Sequence, residues 1–248
     1  MFIDKFLLTI ILTCNIIVLS ININFLTLRQ ILSNLNLSVL KRRNEHMNGF
    51  INELVGAIAQ VLVFSLIPFI WWLITARKKE SFFSWIGLKK IEHKGSAVIT
   101  ILVSAAVFLA YGLATRFFTG LFSGVITSAG SQFAGMGNSY IPVAIIYGFV
   151  RTGLSEEIVF RGFLLKRIAN KFGFAAGNTI QALLFGLMHG IPFGLISGNI
   201  LVAVIFTLLP GCVGFYMGWV NEKKCGGSVI PGWLMHGFTN AIVTCMSL

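Results

Sequence analysis

Long apolar runs alternate with short polar segments along the whole chain. A helix needs about 20 mostly apolar residues to cross the hydrocarbon core of a bilayer. Runs that approach or exceed this length occur at about residues 6–26, 49–75, 96–115, 140–165, 174–196, 199–220 and 229–246. The pattern therefore predicts an all-α fold, a polytopic helix bundle of about seven transmembrane helices.

Two segments between these runs are too polar to span. Residues 27–48 are polar and rich in leucine, and residues 76–94 are basic and contain Phe82, Phe83 and Trp85. Basic segments with aromatic side chains are typical of helices that lie on anionic lipid. We expect an interfacial helix over residues 76–94, and two parts of the chain: N-terminal helices with this basic loop (1–135) and a C-terminal core (136–248).

Composition agrees with a membrane protein. Charged residues make up 11% of the chain, against roughly 25% in soluble domains, and the mean hydropathy is +0.86. This excludes a soluble enzyme, a disordered chain and a disulfide-stapled secreted module. The four cysteines are scattered without ligand spacing, and we interpret them as small neutral side chains.

The net charge of +11 is explained by basic loops, so no nucleic-acid partner is expected. Lys and Arg collect after the second, fourth and sixth predicted helices, and such loops face the cytoplasm. The first helix does not fit this orientation, because Arg29 and residues 41–43 would lie outside. From the second helix onward we expect this arrangement, in a membrane that composition suggests is a bacterial plasma membrane.

The fourth predicted helix carries charges at membrane depth. Ionisable groups there are costly and usually face the bundle interior for a functional reason. Glu157 and Arg161 are spaced i, i+4 and can pair, whereas Glu156 points about 100° away. Glu53, near the start of the second helix, is expected to reach the interface. The alternative is that both glutamates of the fourth helix only hold helices together.

Two histidines and an asparagine lie in other predicted helices. His189 is in the fifth helix, and His236 and Asn240 share one face of the seventh. Small residues every four positions allow close helix packing, and they occur beside His189 at Gly186, Gly190, Gly194 and Gly198. We expect this stripe to pack the fifth helix against the fourth.

Prolines lie within two of these predicted helices. Proline removes a backbone hydrogen bond in a helix interior and so kinks or breaks the helix. We therefore expect Pro192 to break or kink the fifth helix just past His189, and Pro210 to kink the sixth.

Several classes of intramembrane hydrolase are excluded by missing residues. No H-E-x-x-H and no G-x-S-G occurs, and Asp4 is the only aspartate. Two arrangements remain open for the polar set. In one, Glu156 takes a proton from a water that His189 also holds, and His236 with Asn240 binds the oxyanion. In the other, Glu156, His189 and His236 hold a divalent metal such as zinc.

Three motifs together resemble those of the CAAX protease and bacteriocin-processing family, also called CPBP or Abi. They are E-E-x-x-x-R at residues 156–161, F-x-x-x-H at 185–189 and H-x-x-x-N at 236–240. The resemblance covers about residues 140–245. It implies intramembrane hydrolysis of a peptide bond, with the site open toward the cytoplasm and a lipidated protein or leader-type peptide as substrate.

The resemblance also implies roles for individual residues. Glu156 and His189 would activate water, His236 and Asn240 would bind the oxyanion, and the pair Glu157–Arg161 would support them. The family is described both as metal-dependent and as using a glutamate-activated water, so the cofactor stays open. Two other functions are compatible with the sequence: a non-catalytic immunity or peptide-binding protein, and a proton-coupled transporter.

Overall fold

A computed structural model describes residues 43–122 and 129–248, with side chains from residue 48 onward apart from residue 129. The first predicted helix, residues 6–26, lies outside the described residues. His46–Leu248 forms one compact unit. All regular structure in the described ranges is helical, which confirms the all-α prediction. The boundary placed near residue 135 stays a prediction.

Three helices precede the core. Helix α1 covers Arg43–Thr75 and continues through Pro68. Helix α2 is a short helix, Phe82–Trp85, and Ser81 caps its start by accepting a hydrogen bond from the backbone of Ser84. Helix α3 covers Ala97–Leu121 and is capped in the same way by Ser96. Large apolar side chains cover the outer surface of α1 and α3, as expected where lipid replaces water.

Helix α4 (residues 141–172) has an irregular backbone at the proposed site. It begins as an α-helix at Ile141–Ile145 and becomes π-helical over Ile146–Leu154. One α-helical turn at Ser155–Glu157 separates this from a second π-helical stretch, Ile158–Leu165. π-Helical segments are rare and are frequent at functional sites.

The chain reverses at Gly173, whose φ of 85° and ψ of 162° are outside the helical region. Helix α5 (residues 174–197) then runs back along α4. A Cβ on Gly177 would lie 2.7 Å from the backbone nitrogen of Ala169, so the two helices approach closely from the turn onward. Helix α5 ends at Gly198, which adopts a left-handed conformation.

Two more helices complete the bundle. Helix α6 covers Ile200–Trp219 and continues as a π-helical turn, Val220–Lys224. Helix α7 covers Ile230–Cys245. Helices α5 and α6 remain helical through Pro192 and Pro210, so no break occurs just past His189, while a kink at either proline stays a prediction.

The described residues contain four candidate membrane spans by length and composition. They are Asn48–Thr75, Ala97–Leu121, Asn138–Ser197 and Ile200–Lys224. The third contains both α4 and α5 together with the turn at Gly173. Helix α7 has 16 residues and is not among the candidates. The chain is an integral membrane protein, and the predicted count of about seven spans is not confirmed.

The glycine stripe of α5 packs against α6, not against α4 as we expected. A Cβ on Gly186 would meet the carbonyl oxygen of Thr207, and one on Gly194 would meet Ala203. Buried amides strengthen this contact, because Asn178 donates to the carbonyl of Phe215. Helix α6 therefore packs on the face of α5 that carries the small residues. Phe185 and His189 lie toward the proposed site.

Helices α4 and α7 approach at a second set of glycines. A Cβ on Gly148 would lie 2.5 Å from the backbone nitrogen of Ala241 and 2.8 Å from the carbonyl oxygen of Gly237. On Gly237 itself, a Cβ would meet the ring of Phe149. Backbone contact at this distance is possible only without side chains, and it brings the polar residues of the two helices together.

The basic segment after α1 packs partly on protein and does not form the longer interfacial helix that we predicted, while its contact with lipid stays a prediction. Its helix is limited to four residues, and Trp85 and Ile86 are buried while Phe83 is exposed. The guanidinium of Arg167 lies 3.9 Å from the ring centre of Trp85. The backbone of Val229 donates to the carbonyl of Gly87. The segment therefore covers the ends of α4 and α7.

Candidate active site

A buried ion pair lies in the middle of α4. Nη1 of Arg161 is 2.8 Å from Oε1 of Glu157, and both residues are fully buried. The pair has the i, i+4 spacing expected from the sequence. A charge buried at this depth is tolerated only with a partner, so each member requires the other.

The surroundings of Arg161 extend the pair toward α5 and α6. Its guanidinium lies 4.2 Å from the ring centre of Phe185, within the range of a cation–π contact. On α6, a Cβ at Gly214 would be 2.8 Å from Nη2 of Arg161. Phe185 also stacks edge-on against Phe160 of α4. Phe185, the first residue of the F-x-x-x-H motif, thus connects the ion pair with α5.

His236 lies between the two glutamates. Its Nδ1 is 3.5 Å from Oε1 of Glu157, and its Nε2 is 3.6 Å from Oε2 of Glu156. Both distances are longer than an ordinary hydrogen bond and are within reach of an ion pair to a doubly protonated ring. The two carboxylates therefore face different ring nitrogens, which agrees with the different directions expected of consecutive helical residues.

Gly232 and Asn221 lie next to the carboxylate of Glu157. The backbone N–H of Gly232 donates to Oδ1 of Asn221 at 2.9 Å. A Cβ on Gly232 would lie 2.6 Å from Oε2 of Glu157 and 2.7 Å from Nδ2 of Asn221. A side chain at position 232 would therefore displace the Glu157 carboxylate or the Asn221 amide. Sequence reasoning missed Gly232 and Asn221, because neither belongs to a motif.

His189 lies beside the same aromatic ring. The ring centres of His189 and Phe185 are 4.7 Å apart. The ring centres of His236 and Phe185 are 5.7 Å apart, and these two rings meet edge to face. Nδ1 of His189 is 2.8 Å from the carbonyl oxygen of Phe185. A carbonyl oxygen only accepts, so Nδ1 carries the proton and Nε2 of the neutral ring keeps its lone pair.

Asn240 is one helical turn beyond His236 and contacts α4 separately. Its Nδ2 donates to Oγ1 of Thr152 at 2.8 Å. Direct contacts therefore join Glu156, Glu157, Arg161 and His236. His189 and Asn240 are placed at the edges of this group by Phe185 and Thr152.

A second buried ion pair joins α1 to α4, and the sequence did not reveal it. Arg151 Nη1 lies 3.0 Å from Oε2 of Glu53. Both are buried, so the expectation that Glu53 reaches the interface is wrong. Gln60 donates to the carbonyl of Arg151 at 2.9 Å and to Ser155 Oγ at 3.3 Å. The usable signal was that two opposite charges lay in predicted spans without local partners.

The fit of a metal was tested on the donor set. Among the described residues, no three His, Cys, Asp or Glu side chains are grouped closely enough to hold a metal ion. Glu156, His189 and His236 do not form such a group in this arrangement.

Comparison with known proteins identifies the C-terminal part of the chain. No curated protein and no solved structure matches it. The family model "Type II CAAX prenyl endopeptidase Rce1-like" matches residues 138–242. That range contains α4, α5, α6 and most of α7, and with them each residue of the three motifs. The match confirms the family expected from the motifs and supports a CAAX-type protease: residues 138–242 carry the sequence pattern of the Rce1-like type II CAAX prenyl endopeptidases.

Proposed function

We propose that this protein is an intramembrane endopeptidase that hydrolyses a peptide bond of a lipidated protein or of a membrane-associated, leader-type peptide. The observation that supports it best is the placement of His236 between Glu156 and Glu157, with Glu157 paired to Arg161. The charge of Arg161 offsets that of the Glu157 carboxylate. Glu156 is left as the carboxylate that can take a proton.

The first step is attack of water on the carbonyl carbon of the substrate. Glu156 takes one proton from the water, and the hydroxide oxygen forms the new bond to carbon. His189 Nε2 carries the lone pair, because the proton is on Nδ1 toward Phe185. It accepts the second hydrogen of the water and so holds the nucleophile in place.

The carbonyl oxygen gains negative charge in this step. A doubly protonated His236 has its Nδ1–H on the Glu157 side, and its Nε2–H, on the Glu156 side of the ring, can donate to this oxygen. The amide of Asn240 supplies a second donor. Fixed donors directed at a developing oxyanion are among the largest contributions to catalysis.

The second step breaks the carbon–nitrogen bond. The tetrahedral intermediate collapses, its oxyanion becomes the new carboxyl group, and the amine leaves with the proton held by Glu156. Glu156 returns to its carboxylate form. The second hydrogen of the water stays on the new carboxyl group and then passes to the amine, so the products are a carboxylate and an ammonium group. Atoms and protons balance without a further reactant.

We place the site toward the cytoplasm of a bacterial plasma membrane, with anionic lipid at the basic loops. Exposed lysines after α1 and at Lys223 support this, since positive loops face the cytoplasm. Cosedimentation of a soluble fragment of residues 76–94 with vesicles would test the lipid contact only poorly. The full chain is therefore reconstituted in nanodiscs with and without phosphatidylglycerol. A higher turnover in nanodiscs with anionic lipid supports the contact, and equal turnover rejects it.

The experiment for the activity uses purified full-length chain in nanodiscs and a fluorogenic, prenylated CAAX peptide. Glu156→Gln and His189→Ala are expected to abolish turnover. Glu92→Gln is the matched control, because it removes an exposed carboxylate in a loop. If both site variants cleave the peptide like the unmodified chain, the protein is not this enzyme. Peptide binding by an unmodified chain that cleaves no peptide favours the binding-protein alternative.

A further inference from the structure

The hydroxyl of Thr152 fixes the orientation of the Asn240 amide. Thr152 Oγ1 donates to the carbonyls of Tyr147 at 3.0 Å and Gly148 at 3.1 Å in its own helix. A hydroxyl has one proton and two lone pairs, so Oγ1 can meet Asn240 only as an acceptor. The nitrogen of the Asn240 amide, and not its oxygen, therefore faces Thr152.

This contact lies one turn from the contact between Glu156 and His236. Thr152 and Glu156 are four residues apart on α4, and Asn240 and His236 are four apart on α7. The two helices are antiparallel here, so Thr152 faces Asn240 and Glu156 faces His236. Thr152 and Glu156 therefore contact neighbouring turns of α7.

The π-helical backbone makes this geometry possible. In the segment Ile146–Leu154 the hydroxyl of Thr152 reaches carbonyls four and five residues earlier. One of them belongs to Gly148, whose missing side chain lets the backbone of α7 approach. The same residue therefore accepts the Thr152 proton and allows Asn240 to come within hydrogen-bond distance.

We infer that Thr152 is a positioning residue that directs the second N–H of Asn240 toward the substrate carbonyl; this rests on the proposed function. An amide nitrogen carries two N–H groups in one plane. Once one is held by Thr152, the direction of the other is set. A donor oriented before the reaction stabilises an oxyanion better than a mobile one.

The test compares Thr152→Val with Thr152→Ser in nanodiscs. Valine keeps the shape but cannot accept the hydrogen bond, whereas serine keeps the hydroxyl. A misplaced catalytic group costs up to about 100-fold in rate, so we expect a fall in kcat of about tenfold for Thr152→Val, with KM within about twofold. Thr152→Ser should restore kcat. A lower unfolding temperature of Thr152→Val with unchanged kcat would mean a structural role only and overturns the inference.

A double variant tests whether Thr152 acts through Asn240. Asn240→Ala with Thr152→Val should have the same kcat as Asn240→Ala alone. A further tenfold loss in the double variant contradicts the inference. If Thr152→Val gives no folded protein, Thr152→Ala replaces it with the same expected fall in kcat and the same contradicting result.

The two proposals fail in different ways. Full turnover of Glu156→Gln and Asn240→Ala rejects the proposed function itself. Loss of turnover in those variants, with normal kcat in Thr152→Val, rejects only the role of Thr152.

Discussion

Glu157 and Arg161 form a fully buried ion pair on one face of α4, with Nη1 and Oε1 2.8 Å apart. The pair does not stand alone. Glu157 faces His236, and Arg161 faces Phe185 and the backbone at Gly214. One interaction within α4 therefore fixes parts of α5, α6 and α7 around Glu156.

Removing one member of this pair should destabilise the whole bundle. Arg161→Leu leaves the Glu157 carboxylate buried without its partner, which costs about 3–5 kcal/mol. We expect a clear fall in the unfolding temperature, measured by thermal unfolding in detergent. Glu157→Leu with Arg161→Leu should be less damaging than either alone, because no buried charge remains.

The matched control is Lys166 with Glu222, a pair of 2.5 Å that is partly exposed. Replacing Lys166 by Met should cost less than Arg161→Leu, because solvent screens the remaining carboxylate. Equal losses for the two ion pairs would contradict the importance given to burial.

Sequence patterns predicted which polar residues share a helix face better than they predicted the surroundings of those residues. The i, i+4 spacings of Glu157–Arg161 and His236–Asn240 follow from the helix period and needed no tertiary information. The partner of Arg151 could not be predicted, because Glu53 is 98 positions away and periodicity does not tell which helices pack together. The glycine stripe of α5 gave a packing face but not the identity of the neighbour.

Local rules also failed where tertiary packing decides. Residues 76–94 have the composition of a lipid-bound helix, yet Trp85 and Ile86 are buried against protein. Pro192 lies inside a continuous helix, because α6 packs along α5 on both sides of it at Gly190 and Gly194. Composition describes the preferences of a segment, and neighbouring helices overrule them.

Close backbone contact between α4 and α7 should depend on Gly148. In Gly148→Ala the new Cβ would lie 2.5 Å from the backbone nitrogen of Ala241, so α7 must move away. We expect loss of turnover, because His236 and Asn240 move with α7, and a lower unfolding temperature. Gly112→Ala in α3 is the control, since no atom lies within 4 Å of its Cβ. Unchanged kinetics in Gly148→Ala would show that the helices tolerate separation.

The orientation proposed from the basic loops can be measured with single cysteines. Lys78 and Ala134 are both exposed, in the segments after α1 and before α4. In a chain whose native cysteines are serine, Ala134→Cys should react with an impermeant maleimide on intact cells. Lys78→Cys should react only after the membrane is permeabilised. The reverse pattern would place the basic loops outside and overturn the orientation.

The metal alternative predicts a different composition of the purified protein. Because Glu156, His189 and His236 are not grouped to hold a metal ion, we expect turnover to persist after dialysis against a chelator. Metal content by mass spectrometry should be well below one ion per chain and equal in His189→Ala. One zinc per chain that is lost both with the chelator and in His189→Ala, together with turnover, would establish the metal site and replace the water activation proposed for Glu156.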